Sequence, residues 1–160
     1  MGSWFPAQEE PIGAVEDEVD IVRNNLEGAI YTTAVPDYVY EAGVECHSDL
    51  AEHADKFDHT MYAGPIGESA ERVMSEMVEN DIYGLGDWEL VNGGWPSTIA
   101  EMENAMDNEE WVVFPGWAPH WMNIVLDIEY IDDPENTWGG AESWIKTITR
   151  DDLHQDQPNL

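Results

Sequence analysis

The sequence predicts an α/β protein in which a mostly parallel sheet is flanked by helices. Three observations lead there. Short apolar segments rich in β-branched and aromatic residues alternate along the chain with helical segments, two of which carry a clear apolar face. Glycine and proline turns separate these elements. The strand candidates are apolar throughout, as in strands covered on both faces.

Gly28 to Val35 (Gly-Ala-Ile-Tyr-Thr-Thr-Ala-Val), ended by Pro36, reads as a buried strand. Ser48 is placed to cap a short helix carrying Leu50, Ala51 and Ala54. Thr60 to Ala63 is a short strand entering the turn Gly64-Pro65-Ile66-Gly67. Ser69 starts a helix with Val73, Met74, Met77 and Val78 on one face, broken at Tyr83-Gly84-Leu85-Gly86. Trp88 to Val91 is a third strand, followed by Asn92-Gly93-Gly94-Trp95-Pro96 and a helix from Ser97 to about Asn108, whose inward face is Ile99, Met102, Ala105 and Met106. Trp111 to Phe114 is a fourth strand, entering Pro115-Gly116-Trp117-Ala118-Pro119-His120-Trp121. Ile128 to Ile131 and Trp144 to Thr149 are further strands, and the polar tail after Arg150 is expected to be loose. In such sheets ligands sit at the carboxyl ends of the strands, where both glycine-rich turns and the Gly-Trp-x-Pro-His-Trp segment fall.

The charge balance narrows the possible partners. There are 35 acidic residues against 5 basic ones, a formal net charge of −30, yet 42% of residues are hydrophobic. A core is therefore affordable, and the acids coat its surface. They spread along the whole length, and lysine is limited to Lys56 and Lys146. That pattern suits molar salt, where repulsion is screened within about 3 Å at roughly 1 M. An acidic decoy of nucleic acid is the competing reading; direct binding to DNA or to an anionic membrane is excluded by charge. Cys46, the one cysteine, rules out an internal disulfide or a cysteine metal cluster. No apolar run approaches the roughly 20 residues of a membrane span. Met-Gly-Ser-Trp-Phe-Pro lacks the basic start and apolar stretch of a secretory leader. It reads instead as the middle of a loop, which favours a piece of a longer protein over a cytoplasmic one.

Catalysis finds no support. Cys46, His47, His53 and His59 suggest a metal, but the histidines are six apart, whereas helical ligand pairs need a spacing of three or four. Asp49, Glu52, Asp55 and Asp58 interleave with them, as on a wet helical surface. No nucleophile elbow, phosphate loop or His-Glu-x-x-His occurs, and among so many carboxylates a close pair carries no information. Neither a metal nor a cofactor is expected. Tryptophan is the anomaly, with eight in the chain. Trp88, Trp111 and Trp144 fit strands, but Trp4, Trp95 and Trp117 sit beside proline or glycine at loop positions. Either they plug loops onto the core, or they form an aromatic box for a cation that lacks hydrogen-bond donors. Ring faces attract such a cation by about 0.5–2 kcal/mol each.

Several segments together resemble the substrate-binding proteins of glycine betaine/choline ABC transporters. They are Gly2-Ser3-Trp4-Phe5-Pro6, Asn25 through Tyr31 (Asn-Leu-Glu-Gly-Ala-Ile-Tyr), Trp111 through Asn123, Leu126 through Pro134, and Thr147-Ile148-Thr149-Arg150. Gly-Trp-x-Pro-His-Trp-Met is the most specific. The resemblance implies a lobe of a type II periplasmic-binding-protein-like fold, an extracytoplasmic carrier with a quaternary-ammonium ligand in an aromatic box, and a permease as partner. By position it implies Trp4, Tyr31 and Trp117 as box walls. His120 belongs to the same motif, either holding its loop or touching ligand.

The chain departs from the family pattern in two ways. Pro65-Ile66-Gly67-Glu68 replaces the usual Asp/Glu-Pro-Gly-Asn or Asp-Pro-Gly-Ala turn, so Glu68 either favours a cation such as choline over betaine's carboxylate or points outward as one more surface acid. Trp95 stands where relatives carry Ser-Glu and is a candidate substitute wall, while the helix starts at Ser69 and Ser97 are placed to receive a carboxylate. The second departure is length. Family proteins are about twice as long, so residues 28–126 are expected to form one complete lobe, with 1–27 and 127–160 as flanking segments of the other. A second reading keeps the same fold as a truncated, non-transporting sensor or homodimerising domain that covers the face carrying Trp4, Trp95 and Trp117.

Overall fold

The structure, a computed structural model, describes residues 2–140 and 143–153. Its strands are β1 (Gly2–Phe5), β2 (Val19–Pro36), β3 (Thr60–Gly64), β4 (Glu89–Asn92), β5 (Phe114–Ala118), β6 (Ile128–Tyr130) and β7 (Ser143–Arg150). Its helices are α1 (Glu9–Gly13), α2 (Asp37–Glu41), α3 (His47–Glu52), α4 (Ser69–Glu79), α5 (Trp95–Asp107) and α6 (Met122–Val125). They divide into two compact units, Met1–Ile30 with Glu142–Leu160, and Tyr31–Ala141. No helix among the described residues is long and apolar enough to cross a membrane.

In the first unit β7 runs between β1 and the early part of β2, antiparallel to both. Trp4 stands opposite Ile145, and Phe5 opposite Trp144. Gly2–Phe5 is thus a strand, not the loop interior its glycine and proline suggest. Ser3 and Phe5 are buried with a period of two, and Pro6 falls just past the ladder, where no N–H is needed. β2 begins at Val19, well before Gly28. Register shifts between Ile21/Arg23, Asn24/Leu26 and Leu26/Ala29 hide the alternation that marks a strand in sequence. Asn25 steadies this stretch by donating from Nδ2 to Thr147 Oγ1 on β7 at 2.7 Å. The tail expected to be loose lies, past Leu153, outside the described residues.

In the second unit the late part of β2 pairs with β6, Ala34 opposite Tyr130, and β5 lies beside β2. β3 and β4 form a parallel pair joined through α4, with Thr60 opposite Glu89. The α/β class therefore holds, but a mostly parallel sheet does not, because β1/β7, β2/β7 and β2/β6 are antiparallel. A continuous apolar run records burial on both faces, as at Ala34, Val35 and Pro36, and does not record strand direction. α4 places Ala70, Met74 and Met77 against Val35, Leu50, Met61, Ala63, Leu85 and Val113. α5 places Met102 and Ala105 against Ala34, Val112 and Phe114. Both helix faces follow the spacing in the sequence.

Three boundaries move, each for a local reason. The cap of α3 is Cys46, not Ser48, because the Asp49 carboxylate reaches back to accept the N–H groups of Cys46 (2.8 Å) and Glu45 (3.0 Å). α5 starts at Trp95 rather than Ser97: Pro96 fits a first helical turn, and Gly94 O accepts the N–H groups of Ser97 and Thr98, each at 3.0 Å. β5 is Phe114–Ala118 rather than Trp111 to Phe114. Gly116 makes the close approach possible, since a Cβ there would lie 2.7 Å from Tyr130 Cε1 and 2.9 Å from the Ala34 Cβ. Trp4, Trp95 and Trp117, expected on loops, all stand on regular elements.

Candidate functional site

Two tryptophans of the second unit, Trp95 and Trp117, meet where Trp95 covers the end of β3. Gly64, the last residue of that strand, has φ +76° and lies under the Trp95 ring. A Cβ at Gly64 would come within 2.6 Å of Trp95 Cη2, so a residue without a side chain is required for the ring to seat. Four residues on, at the exposed turn before α4, Glu68 Oε2 accepts the Trp95 Nε1–H at 2.7 Å. Trp117 meets Trp95 edge to face, with centroids 4.9 Å apart and planes at 68°. Both rings are half-buried. The His120 ring packs on Trp117 at 4.5 Å.

Tyr31 reaches the same turn from β2. Its hydroxyl lies 3.0 Å from Ser69 Oγ, and its ring meets buried Trp138 edge on at 5.1 Å. Burial pushes the Tyr31 phenol above its ordinary range; the Ser69 hydrogen bond opposes that shift and the nearby Glu68 charge adds to it. The hydroxyl therefore stays protonated. His120 is held below the usual histidine range by burial. Its Nδ1 accepts the Met122 N–H at 3.4 Å, which assigns the proton of the neutral ring to Nε2.

Asn123 fixes the loop that carries Trp117 and His120. Its Nδ2 donates to Trp117 O (2.9 Å) and His120 O (3.0 Å), and its Oδ1 accepts the Tyr130 hydroxyl. Tyr130, packed on Gly116, has its phenol pushed up to about 12 by burial, against the lowering effect of Asn123. The supporting roles of Ser69, Asn123, Tyr130 and Gly64 are what sequence reasoning missed. Ser69 gave a signal only as a helix start and Gly64 only as part of its glycine-proline turn.

Tyr31, Glu68, Trp95, Trp117 and His120 are thus linked by successive contacts within one unit. Trp4 belongs to the other unit, half-buried in β1, where its N–H donates to Gln8 Oε1 at 3.0 Å. The histidines weighed as metal ligands have other partners. Buried His47 faces Asp132 O through Nδ1 (2.8 Å) and Thr33 Oγ1 through Nε2 (2.7 Å). A carbonyl only accepts, so Nδ1 carries the proton and Nε2 accepts from the threonine. His47 is core, not the wet surface its neighbours suggest. His53 packs on Trp111, and His59 lies between Asp55 and Asp87. Among the described residues no group of three or more His, Cys, Asp or Glu is placed to hold a metal ion.

A family model described as the substrate binding domain of ABC-type glycine betaine transport systems matches residues 1–160. The chain belongs to that family. The glycine betaine/carnitine transport binding protein GbuC of Listeria monocytogenes is 37% identical over 79 residues, 48% of this chain and 26% of that protein. An uncharacterized protein, ORF1, of Chromohalobacter salexigens is 39% identical over 79 residues, 46% of this chain and 48% of that protein. Among solved structures, an ABC-transporter choline binding protein in complex with choline superposes with a TM-score of 0.90 at 29% identity, covering 99% of this chain and 56% of that one. Lactococcal OpuAC in its closed, glycine betaine-bound conformation gives 0.85 at 28% identity, covering 98% of this chain and 59% of that one. This betaine-family domain therefore spans little more than half the length of its solved relatives, and its matches to the two sequence relatives cover 26% and 48% of them.

Proposed function

We propose that this chain binds a quaternary-ammonium solute, glycine betaine or choline, for ABC-transporter uptake in osmoprotection. The observation that carries the reading is the edge-to-face pair of Trp95 and Trp117 with the Glu68 carboxylate on the indole N–H, in a domain of the betaine-transport family. A trimethylammonium group has no N–H to donate, so ring faces and a nearby carboxylate are what can hold it. Tyr31 and His120 extend the same ring cluster, while Trp4 as a wall rests on the Gly-Ser-Trp-Phe-Pro resemblance alone. The reading makes the protein a carrier rather than an enzyme, extracytoplasmic, with a permease as partner. We read residues 28–126 as one lobe and 1–27 with 127–160 as segments of another.

The test is a tryptophan-fluorescence titration of the full chain. Choline and glycine betaine should shift the emission, whereas glycine and proline should not. Trp117→Ala should cost about 1–2 kcal/mol, roughly tenfold in affinity, while Trp144→Ala should leave binding unchanged. Unaltered binding in a folded Trp117→Ala protein would remove the aromatic site. The homodimer reading, expected on the face of Trp4, Trp95 and Trp117, meets half-buried rings there; the exposed apolar side chains are instead Trp121, Ile124 and Val125, 47%, 85% and 59% exposed on and beside α6. A monomeric mass by light scattering in molar salt would end it.

A further inference from the structure

The segment from Asp133 to Trp138, just past β6, is tied into a closed loop by one carboxylate. Asp133 Oδ1 accepts the Tyr83 hydroxyl at 2.6 Å and the Thr137 hydroxyl at 2.8 Å, and Oδ2 accepts the Trp138 N–H at 2.8 Å. Asp133 O also accepts the Asn136 N–H at 3.0 Å, and Tyr83 Oη accepts the Glu135 N–H at 2.7 Å. Burial pushes the Asp133 carboxyl up, but the hydrogen bonds from Trp138, Tyr83 and Thr137 outweigh it and hold the group below the usual carboxylate range. Tyr83 is itself fixed. It keeps φ +59°, which bulky residues rarely adopt, and its ring stacks on buried His47 at 5.1 Å.

The residue this loop places is Trp138. Its ring is buried in the core cluster with Val35, Leu85 and Ile131, and its Nε1–H has no hydrogen-bond partner among the described residues. The backbone bond to Asp133 and core packing therefore set where the indole lies. Against that indole the Tyr31 ring stands edge on, with the planes at 81°. Ser69 meets Tyr31 at its hydroxyl, and Trp138 braces its ring. We propose, resting on the quaternary-ammonium reading above, that Asp133 is a positioning residue for that site: by closing the 133–138 loop it fixes Trp138, and through Trp138 it sets the tilt of the Tyr31 ring offered to the ligand.

The experiment is calorimetric titration of the full chain with choline chloride and glycine betaine in molar salt, on a double-mutant cycle of Asp133→Asn and Tyr31→Ala. Asparagine can keep an oxygen toward Tyr83 and Thr137, but it then turns an N–H toward the Trp138 N–H, so the bond that places Trp138 is lost. Asp133→Asn should weaken binding about tenfold, the share of one ring. In the Tyr31→Ala background it should weaken binding no further. Glu79→Gln, which removes one charge at the exposed end of α4, should leave affinity unchanged. Near-UV circular dichroism reads the same geometry without ligand: Asp133→Asn should remove the aromatic band that Tyr31→Ala removes. Should Asp133→Asn not fold, Thr137→Val deletes one bond to the same carboxylate and takes its place in the cycle, with a loss of about threefold. Affinity that the loop variant leaves unchanged, or an equal loss with and without Tyr31, overturns the Asp133 assignment and leaves the quaternary-ammonium reading standing. A wild type that binds neither ligand overturns that reading and the role in binding with it. The dichroism band then still decides whether Asp133 holds Tyr31, and a band that Asp133→Asn leaves in place shows that it does not.

Discussion

Gly64→Ala probes the seat of the aromatic cluster, because two separate costs meet at that position. The backbone there has φ +76°, which for a residue with a Cβ costs about 1–2 kcal/mol. The new methyl group would also lie 2.6 Å from Trp95 Cη2 and 2.8 Å from Cζ2, about 1 Å inside the roughly 3.5–4 Å of ordinary carbon contact. The indole cannot retreat without stretching its bond to Glu68 and shifting its edge against Trp117. Overpacking of this kind costs about 1–3 kcal/mol. The two together come to about 2–5 kcal/mol. Gly67→Ala supplies the comparison: its φ is +86°, but nothing lies within 4 Å of its Cβ position, so only the backbone cost of about 1–2 kcal/mol applies. Urea melts in molar salt should therefore separate the two variants by about 1–3 kcal/mol. The same Gly64 change made in a Trp95→Ala background should fall back to the Gly67 value, since the steric partner is gone. If Gly64→Ala costs no more than Gly67→Ala, or if its excess cost survives removal of Trp95, the ring does not rest on Gly64.

Stability should fall as pH drops through the range just below neutrality. Burial holds His47 below the ordinary histidine value of about 6.5, against the raising effects of the Asp132 carbonyl and the charges of Asp133 and Asp132. Below about 6.5 the unfolded chain takes up a proton there that the folded protein refuses, at a cost of up to about 1.4 kcal/mol per pH unit. His120 adds the same sign. Melts between pH 5 and 7.5 should show a smaller slope for His47→Gln than for the wild type; equal slopes would refute the account. Salt should act in the opposite sense from its effect on ordinary surface ion pairs. With a net charge of −30, dialysis to millimolar salt should expand or unfold the chain by far-UV circular dichroism, and a chain equally folded there would remove the salt-adapted reading.

What could be read from the sequence depended on whether a signal was local. α4 and α5 were visible because Met74 with Met77, and Met102 with Ala105, repeat at helical spacing and do bury together. β1 and the early part of β2 were not. Their pairing with β7 comes from the far end of the chain, and three register shifts blur the alternation. The turn holding Glu68 was visible as a departure at Pro65-Ile66-Gly67, but its use was not: the bond from Trp95 spans 27 residues. Asn123 and Tyr130 fall within the family-like segments, but their pairing carried no signal, because an asparagine seven residues before a tyrosine marks no contact until α6 and β6 bring them together. The wet surface expected around the histidines failed at His47 for a similar reason. Thr33, fourteen residues upstream, and Asp132, far downstream, both close on it.

The surface charge and the ring cluster answer to the same solvent. At about 1 M salt, charges in water cease to feel one another beyond about 3 Å, so a carboxylate attracts a distant cation hardly at all. Interactions made in direct contact survive, and those made over a ring face lose least, because part of their attraction comes from excluding water. The protein applies this rule to its own ammonium groups. It has two lysines: Lys56 Nζ lies 3.9 Å from the centre of the Trp111 ring, and Lys146 Nζ lies 4.4 Å from that of Phe5. Amid 35 carboxylates, both lysines are seated on aromatic faces. A quaternary ammonium meeting Trp95 and Trp117 would be held by the same chemistry, with the Glu68 carboxylate already hydrogen-bonded to the Trp95 ring beside it.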